Sequence, residues 1–169
     1  MIGRVRTSTR FRRRSASALV LVGLLVPFLL RAEPFSAPEG LTPAESRGKI
    51  IYTASRSPSG GPLYYRLISA GGNPFQARGV FCARCHGPDG KGGRGGDAVP
   101  PDITYGALSK AATVSGRERA AYTDALLARA ITQGLDSSGE QLSLLMPRWI
   151  LSESELADLL AYLKRLGRE

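Results

Sequence analysis

The chain has 169 residues, with 23 lysines and arginines against 14 acids and a formal net charge of +9. Seven of the arginines (Arg4, Arg6, Arg10, Arg12, Arg13, Arg14 and Arg31) stand within residues 1–32, which hold no acid, so the remainder carries 16 basic against 14 acidic side chains. A positive charge confined to the first segment removes the argument for a nucleic-acid partner, and the length allows one domain plus a processing or tethering sequence.

Residues 15–30, "SASALVLVGLLVPFLL", contain no charge. A membrane-spanning helix needs roughly 20 apolar residues, and Pro27 shortens the useful run further. A basic start followed by a short apolar run reads as a secretory signal cut after Ala32, with an uncleaved N-terminal anchor as the alternative. In both cases the domain that follows is exported, to the periplasm or another extracytoplasmic space. Residues 33–41, "EPFSAPEGL", are rich in proline and small side chains and read as a linker to a domain over 42–169.

The domain opens with a capping box, Thr42 and Glu45, around Pro43 at the first helical position. A helix is expected over Pro43–Ala54, burying Ile50, Ile51 and Tyr52. Next comes strong turn chemistry, Ser57-Pro58-Ser59-Gly60-Gly61-Pro62, and residues 63–68 are read as a short hairpin arm. Residues 87–101 form a glycine-dominated loop. A helix is expected from the Thr123 cap to Gln133, with Leu126, Leu127, Ala130 and Ile131 at helical spacing and Gly134 as its stop. The last helix is announced by Ser152 and Glu155 ahead of Leu156, Leu159, Leu160, Leu163 and Leu166, with Lys164 and Arg165 suiting its C-terminal dipole. No set of alternating strands is evident, so the expected fold class is all-α.

The chemistry concentrates in "FCARCHGPDGKGG", residues 81–93, which holds both cysteines, Cys82 and Cys85, and the only histidine, His86. Three readings compete. Structural zinc draws four ligands from two separated pairs, and the rest of the chain offers no second pair. A thioredoxin-like dithiol needs strands alternating with helices, which are not expected here. Cys-x-x-Cys-His is the attachment pattern of a c-type haem: two thiols one turn apart reach two vinyl groups, and the adjacent imidazole is delivered to the iron. That reading also explains two thiols in an exported protein, where a disulfide is otherwise the default. The opposite axial face cannot take a second histidine. Of the two methionines, Met1 lies in the leader, so Met146, in the loop before Pro147, is the candidate sixth ligand.

These residues, with "GKIIY" (Gly48 and Tyr52), "PPDI", "MPRW" and "LADLLAYLKRL", resemble the class I c-type cytochromes over most of residues 42–166. The resemblance implies a cytochrome c-like fold of three to five helices around one covalently bound haem c. It also implies a crossing of the first and last helices that sets Gly48 and Tyr52 against Leu159, Tyr162 or Leu163. It points to the Pro101 carbonyl, with Pro100 as alternative, as acceptor of the His86 Nδ1–H. Trp149 would pack the haem pocket, and Arg148 and Tyr105 either hydrogen-bond haem propionates or serve structurally. The function implied is an electron carrier rather than an enzyme. Its partners would be a redox-protein donor and acceptor, including a dehydrogenase or oxidase complex, with the membrane involved only through an N-terminal anchor. One departure from the pattern is an insert at 57–81 between the first helix and the Cys-x-x-Cys-His motif. Spacing assigns it no role among three: a cover over the haem edge, a docking surface, or inert decoration.

Overall fold

The computed structural model describes residues 40–93, 99–114 and 116–168. The leader at 1–32 and residues 33–39 of the expected linker lie outside them. Leu41, assigned to the linker from sequence, already packs against the core.

Helix α1 (Pro43–Ala54) begins at the capping box: the Glu45 N–H donates to Thr42 Oγ1 at 3.2 Å, and the Thr42 N–H donates to Glu45 Oε2 at 2.7 Å. It ends at Ser55, which takes a left-handed conformation with φ 50° and donates its N–H to the Ile51 carbonyl. The insert follows, with strand β1 (Tyr64–Arg66), a 3-10 turn (Ile68–Ala70) and strand β2 (Pro74–Gln76). Then come α2 (Cys82–His86), α3 (Tyr105–Leu108), the strand pair β3 (Ala112–Val114) and β4 (Arg117–Arg119), α4 (Asp124–Gln133), β5 (Arg148–Ile150) and α5 (Glu153–Arg165). Both caps expected for the later helices form: Thr123 accepts from the Leu126 N–H, and Ser152 and Glu155 make a second capping box.

The domain is therefore not all-α. Among the described residues a three-stranded antiparallel sheet runs in the order β2-β1-β5, and β3 pairs with β4. The expected hairpin arm does pair with the following strand, Tyr65 opposite Phe75, but its other edge pairs with β5, Tyr65 opposite Trp149. Each strand has three residues, too few for a period-two pattern to stand out from noise. One partner also lies about eighty positions away in the chain. In α1 the periodicity erred by one position: Ile51 and Tyr52 are buried, whereas Ile50 is half-exposed.

The core forms where α1 crosses α5. Ile51, Tyr52, Leu159, Tyr162, Leu163 and Leu166 are all less than a tenth exposed, and the Tyr52 and Tyr162 rings lie 5.4 Å apart at 56°. Burying each such side chain contributes roughly 1.5–3 kcal/mol. Gly48 permits the approach, because a Cβ there would overlap the Asp158 carbonyl and stand 2.8 Å from the Tyr162 Cβ. Beside the crossing, Arg47 clasps Asp158 in two-pronged fashion, Nε to Oδ2 and Nη2 to Oδ1, both at 2.7 Å. Lys164 of α5 reaches Asp124 at the start of α4 at 2.5 Å, which ties the third long helix to the pair.

Alanine is the better helix former by about 1 kcal/mol, yet at position 48 its methyl meets backbone. Gly48→Ala is expected to destabilise the fold by about 1–3 kcal/mol, measured as a lower urea midpoint. An unchanged or raised midpoint would mean that the two helices have room to separate without cost.

Candidate functional site

Helix α2 is only five residues long and has no side-chain cap at its start, so its position is set by its neighbours. Tyr52, fully buried at the helix crossing, donates its hydroxyl proton to the Gly87 carbonyl at 2.6 Å. Burial pushes the Tyr52 pKa upward, which keeps the hydroxyl protonated and donating. Ser55 Oγ donates to the Val80 carbonyl and secures the approach to α2 from the other side. Sequence reading placed Tyr52 in the crossing but missed its bond to the Cys-x-x-Cys-His helix. A tyrosine in place of phenylalanine at a fully buried position was the signal available, since a buried hydroxyl needs a partner.

Cys82 and Cys85 stand one helical turn apart, and side chains at that spacing share a face. Both are free thiols, Cys82 half-buried against the core and Cys85 exposed. Burial pushes the Cys82 thiol up to about 12. A redox dithiol needs the opposite, a thiolate stabilised near neutral pH. Nor do three or more His, Cys, Asp and Glu side chains converge into a metal-binding group among the described residues.

His86 ends the helix. Its Nδ1 lies 3.1 Å from the Pro101 carbonyl oxygen, with the Nδ1–H tautomer as the donor. Burial lowers the His86 pKa and the bond to Pro101 opposes that shift. With the Nδ1–H donated to Pro101, the Nε2 is the nitrogen left to coordinate. The loop carrying Pro101 is itself fastened to the turn after the histidine. The Gly92 N–H donates to the His86 carbonyl at 2.8 Å, the Gly93 N–H to Pro100 at 3.1 Å, and the Ile103 N–H to Gly90 at 2.7 Å.

A second group lies on the loop before β5. Met146 and Pro147 are half-buried, between the exposed Leu144 and Leu145 and the buried Arg148 and Trp149. Arg148 turns back on its own loop, donating to the Met146 carbonyl at 2.7 Å and the Leu142 carbonyl at 3.1 Å. Trp149 belongs to the core cluster and lies 5.8 Å from the Tyr65 ring. Cys82, of the first group, packs against the same core. The Tyr105 N–H reaches the Leu166 carbonyl at 3.4 Å, and its ring lies 4.9 Å beneath the Arg168 guanidinium.

A family model for cytochrome c matches residues 70–167, more than half of the chain. The chain belongs to the cytochrome c family. No curated protein and no solved structure matches it. Membership brings a cytochrome c-like fold, a covalently attached haem c, and a role in electron transfer with redox proteins rather than catalysis. The match starts inside the insert, so α1 and β1 lie outside it while β2 lies within it.

The residues present fit the cofactor. Two unbridged thiols share one helix face, an imidazole is held with one nitrogen free, and Leu144 and Leu145, 46% and 67% exposed beside the methionine, offer apolar lining to a flat hydrophobic group.

Tyr52→Phe keeps the packing of this cytochrome but leaves the buried Gly87 carbonyl without its donor, at a cost of about 1–3 kcal/mol. The thermal unfolding midpoint of the haem-loaded protein is expected to fall accordingly. An unchanged midpoint would mean that α2 is held by something other than this hydrogen bond.

Proposed function

We propose that the chain is a monohaem carrier passing single electrons between exported or membrane-bound redox partners. In this reading Cys82 and Cys85 hold the haem through thioether bonds, and His86 and Met146 fill the two axial positions. The observation that carries it is the 3.1 Å contact between His86 Nδ1 and the Pro101 carbonyl, which presents the other imidazole nitrogen as a ligand and strengthens it as a donor. When bound, haem supplies a one-electron couple, and a methionine sulfur opposite the imidazole favours the ferrous state and raises the potential.

The protein's part is to hold and to exclude. Tyr52 and the 90–93 turn fix the imidazole, and Pro101 fixes its tautomer. Met146 is supported as its counterpart by being the one thioether outside the leader and by its apolar flank of Leu144 and Leu145. With His86 and Met146 both as ligands no coordination site would be left open, and outer-sphere transfer would be the chemistry that remains. The leader at 1–32, as signal or anchor, directs the domain to the periplasm or another extracytoplasmic space. There a dehydrogenase or an oxidase is the class of complex it would serve as electron acceptor or donor.

The test is the visible spectrum, oxidised and reduced, of protein exported from a host able to attach haem. A low-spin spectrum with the weak sulfur-to-iron charge-transfer band is expected, and Met146→Ala should abolish the band and lower the reduction potential. A high-spin wild-type spectrum, or a band indifferent to the substitution, would refute the methionine assignment. Replacing both Cys82 and Cys85 by serine should leave haem that is extracted by acid and organic solvent. Haem that stays covalently attached in the double variant would overturn the thioether assignment.

A further inference from the structure

The insert and the methionine loop, distant in sequence, are joined at β5. This strand starts two residues after Met146, and the central strand of the insert, β1, pairs along its whole length: Tyr64 with Ile150, Tyr65 with Trp149, Arg66 with Arg148. On one face the Tyr65 ring lies between Phe75 at 5.9 Å and Trp149 at 5.8 Å. Leu63, just before β1, is 3% exposed and belongs to the core cluster, so the hairpin is seated on the body of the domain and not merely on β5.

Arg148 acts on the same loop from within. It is 3% exposed, and its Nη1 and Nη2 donate to backbone carbonyls, Met146 at 2.7 Å and Leu142 at 3.1 Å. Its Nε is buried without a hydrogen-bond partner. None of the ion pairs among the described residues includes it. A guanidinium placed in the interior against carbonyls is costly to bury, and the loop it closes is what it offers in return. Gly134, the stop of α4 with φ +74°, makes the space: a Cβ there would overlap the guanidinium. The Leu142 N–H donates to the Gly134 carbonyl at 2.8 Å, so the end of α4, the methionine loop and β5 close around one cation.

We propose that the insert hairpin and Arg148 form a clamp that holds the Met146 loop in place for ligation, with Arg148 and Tyr65 as positioning residues. The proposal rests on Met146 being the sixth ligand. The hairpin fixes the backbone leaving the methionine, and the guanidinium fixes the carbonyl of the methionine itself. The clamp restricts the loop to one arrangement, so an external ligand must displace a sulfur that is already in position.

The experiment titrates the ferric haem-loaded protein with imidazole while following the sulfur-to-iron band. Losing a charge-assisted hydrogen bond to the loop should raise imidazole affinity about tenfold or more in Arg148→Leu. Tyr65→Ala should raise it in the same direction, while Tyr65→Phe, which keeps the ring between Phe75 and Trp149, should match the wild type. Arg148→Lys should fall between, since a single ammonium cannot span two carbonyls as a planar fork does. Gly48→Ala serves as the control for general destabilisation and should leave the affinity unchanged. If Arg148→Leu does not fold, Arg148→Lys and Tyr65→Ala decide the matter. A wild type without the band would remove the axial assignment and the clamp with it. A wild type with the band, and variants that bind imidazole as it does, would overturn the clamp alone, as would Gly48→Ala shifting the affinity equally.

Discussion

The hydroxyl of Tyr52 reaches from the part of this cytochrome that folds on its own terms into the part that carries its chemistry. The α1–α5 crossing needs only close-packed side chains and a glycine, and it would form around almost any apolar pair of the right shape. Helix α2 has no such means. It is five residues long and uncapped at its start, and helices of that length are not stable alone. The Tyr52 hydroxyl, donated to the Gly87 carbonyl from within the crossing, transfers the rigidity of the long helices to the short one. The histidine, the thiols and the proline loop take their positions from that attachment together with the Ser55–Val80 bond and the packing of Cys82 on the core.

The same economy runs through the loops. Between α1 and α4 most of the described residues are irregular or in three-residue strands, and their backbone polar groups must still be satisfied. Around the site several meet one another, His86 with Gly92, Pro100 with Gly93 and Gly90 with Ile103, and just beyond α4 Gly134 meets Leu142. These bonds make the cofactor's surroundings a mesh of short loops tied at few points. The positions of His86 and Met146 therefore depend on residues with no chemistry of their own.

Charge is used in two different ways. Arg47 and Asp158 form a bidentate pair beside the helix crossing, with the guanidinium half in water, an arrangement that holds two helices in register. Arg148 is the reverse case, a cation taken inside and set against carbonyls. The first can be exchanged for another helix contact at modest cost. The second is intelligible only from what it orients.

What the sequence determined by itself was whatever depends on neighbours within a few positions. The capping boxes at Thr42 and Ser152, the cap at Thr123 and the glycine stop at 134 set the three long helices, and the Cys-x-x-Cys-His run pointed to the family and its haem c. Only the tertiary structure decided that the domain is not all-α, because β1 and β5 pair across a separation no local pattern can register and each is too short to show one. Only it decided that the guanidinium of Arg148 turns toward the Met146 and Leu142 carbonyls, and that Tyr52 holds the site as well as the core. Spacing can bring residues of the right kind into one turn. Which donor meets which acceptor across the fold is settled by packing, where each buried polar group takes the partner that the surrounding volume leaves within reach.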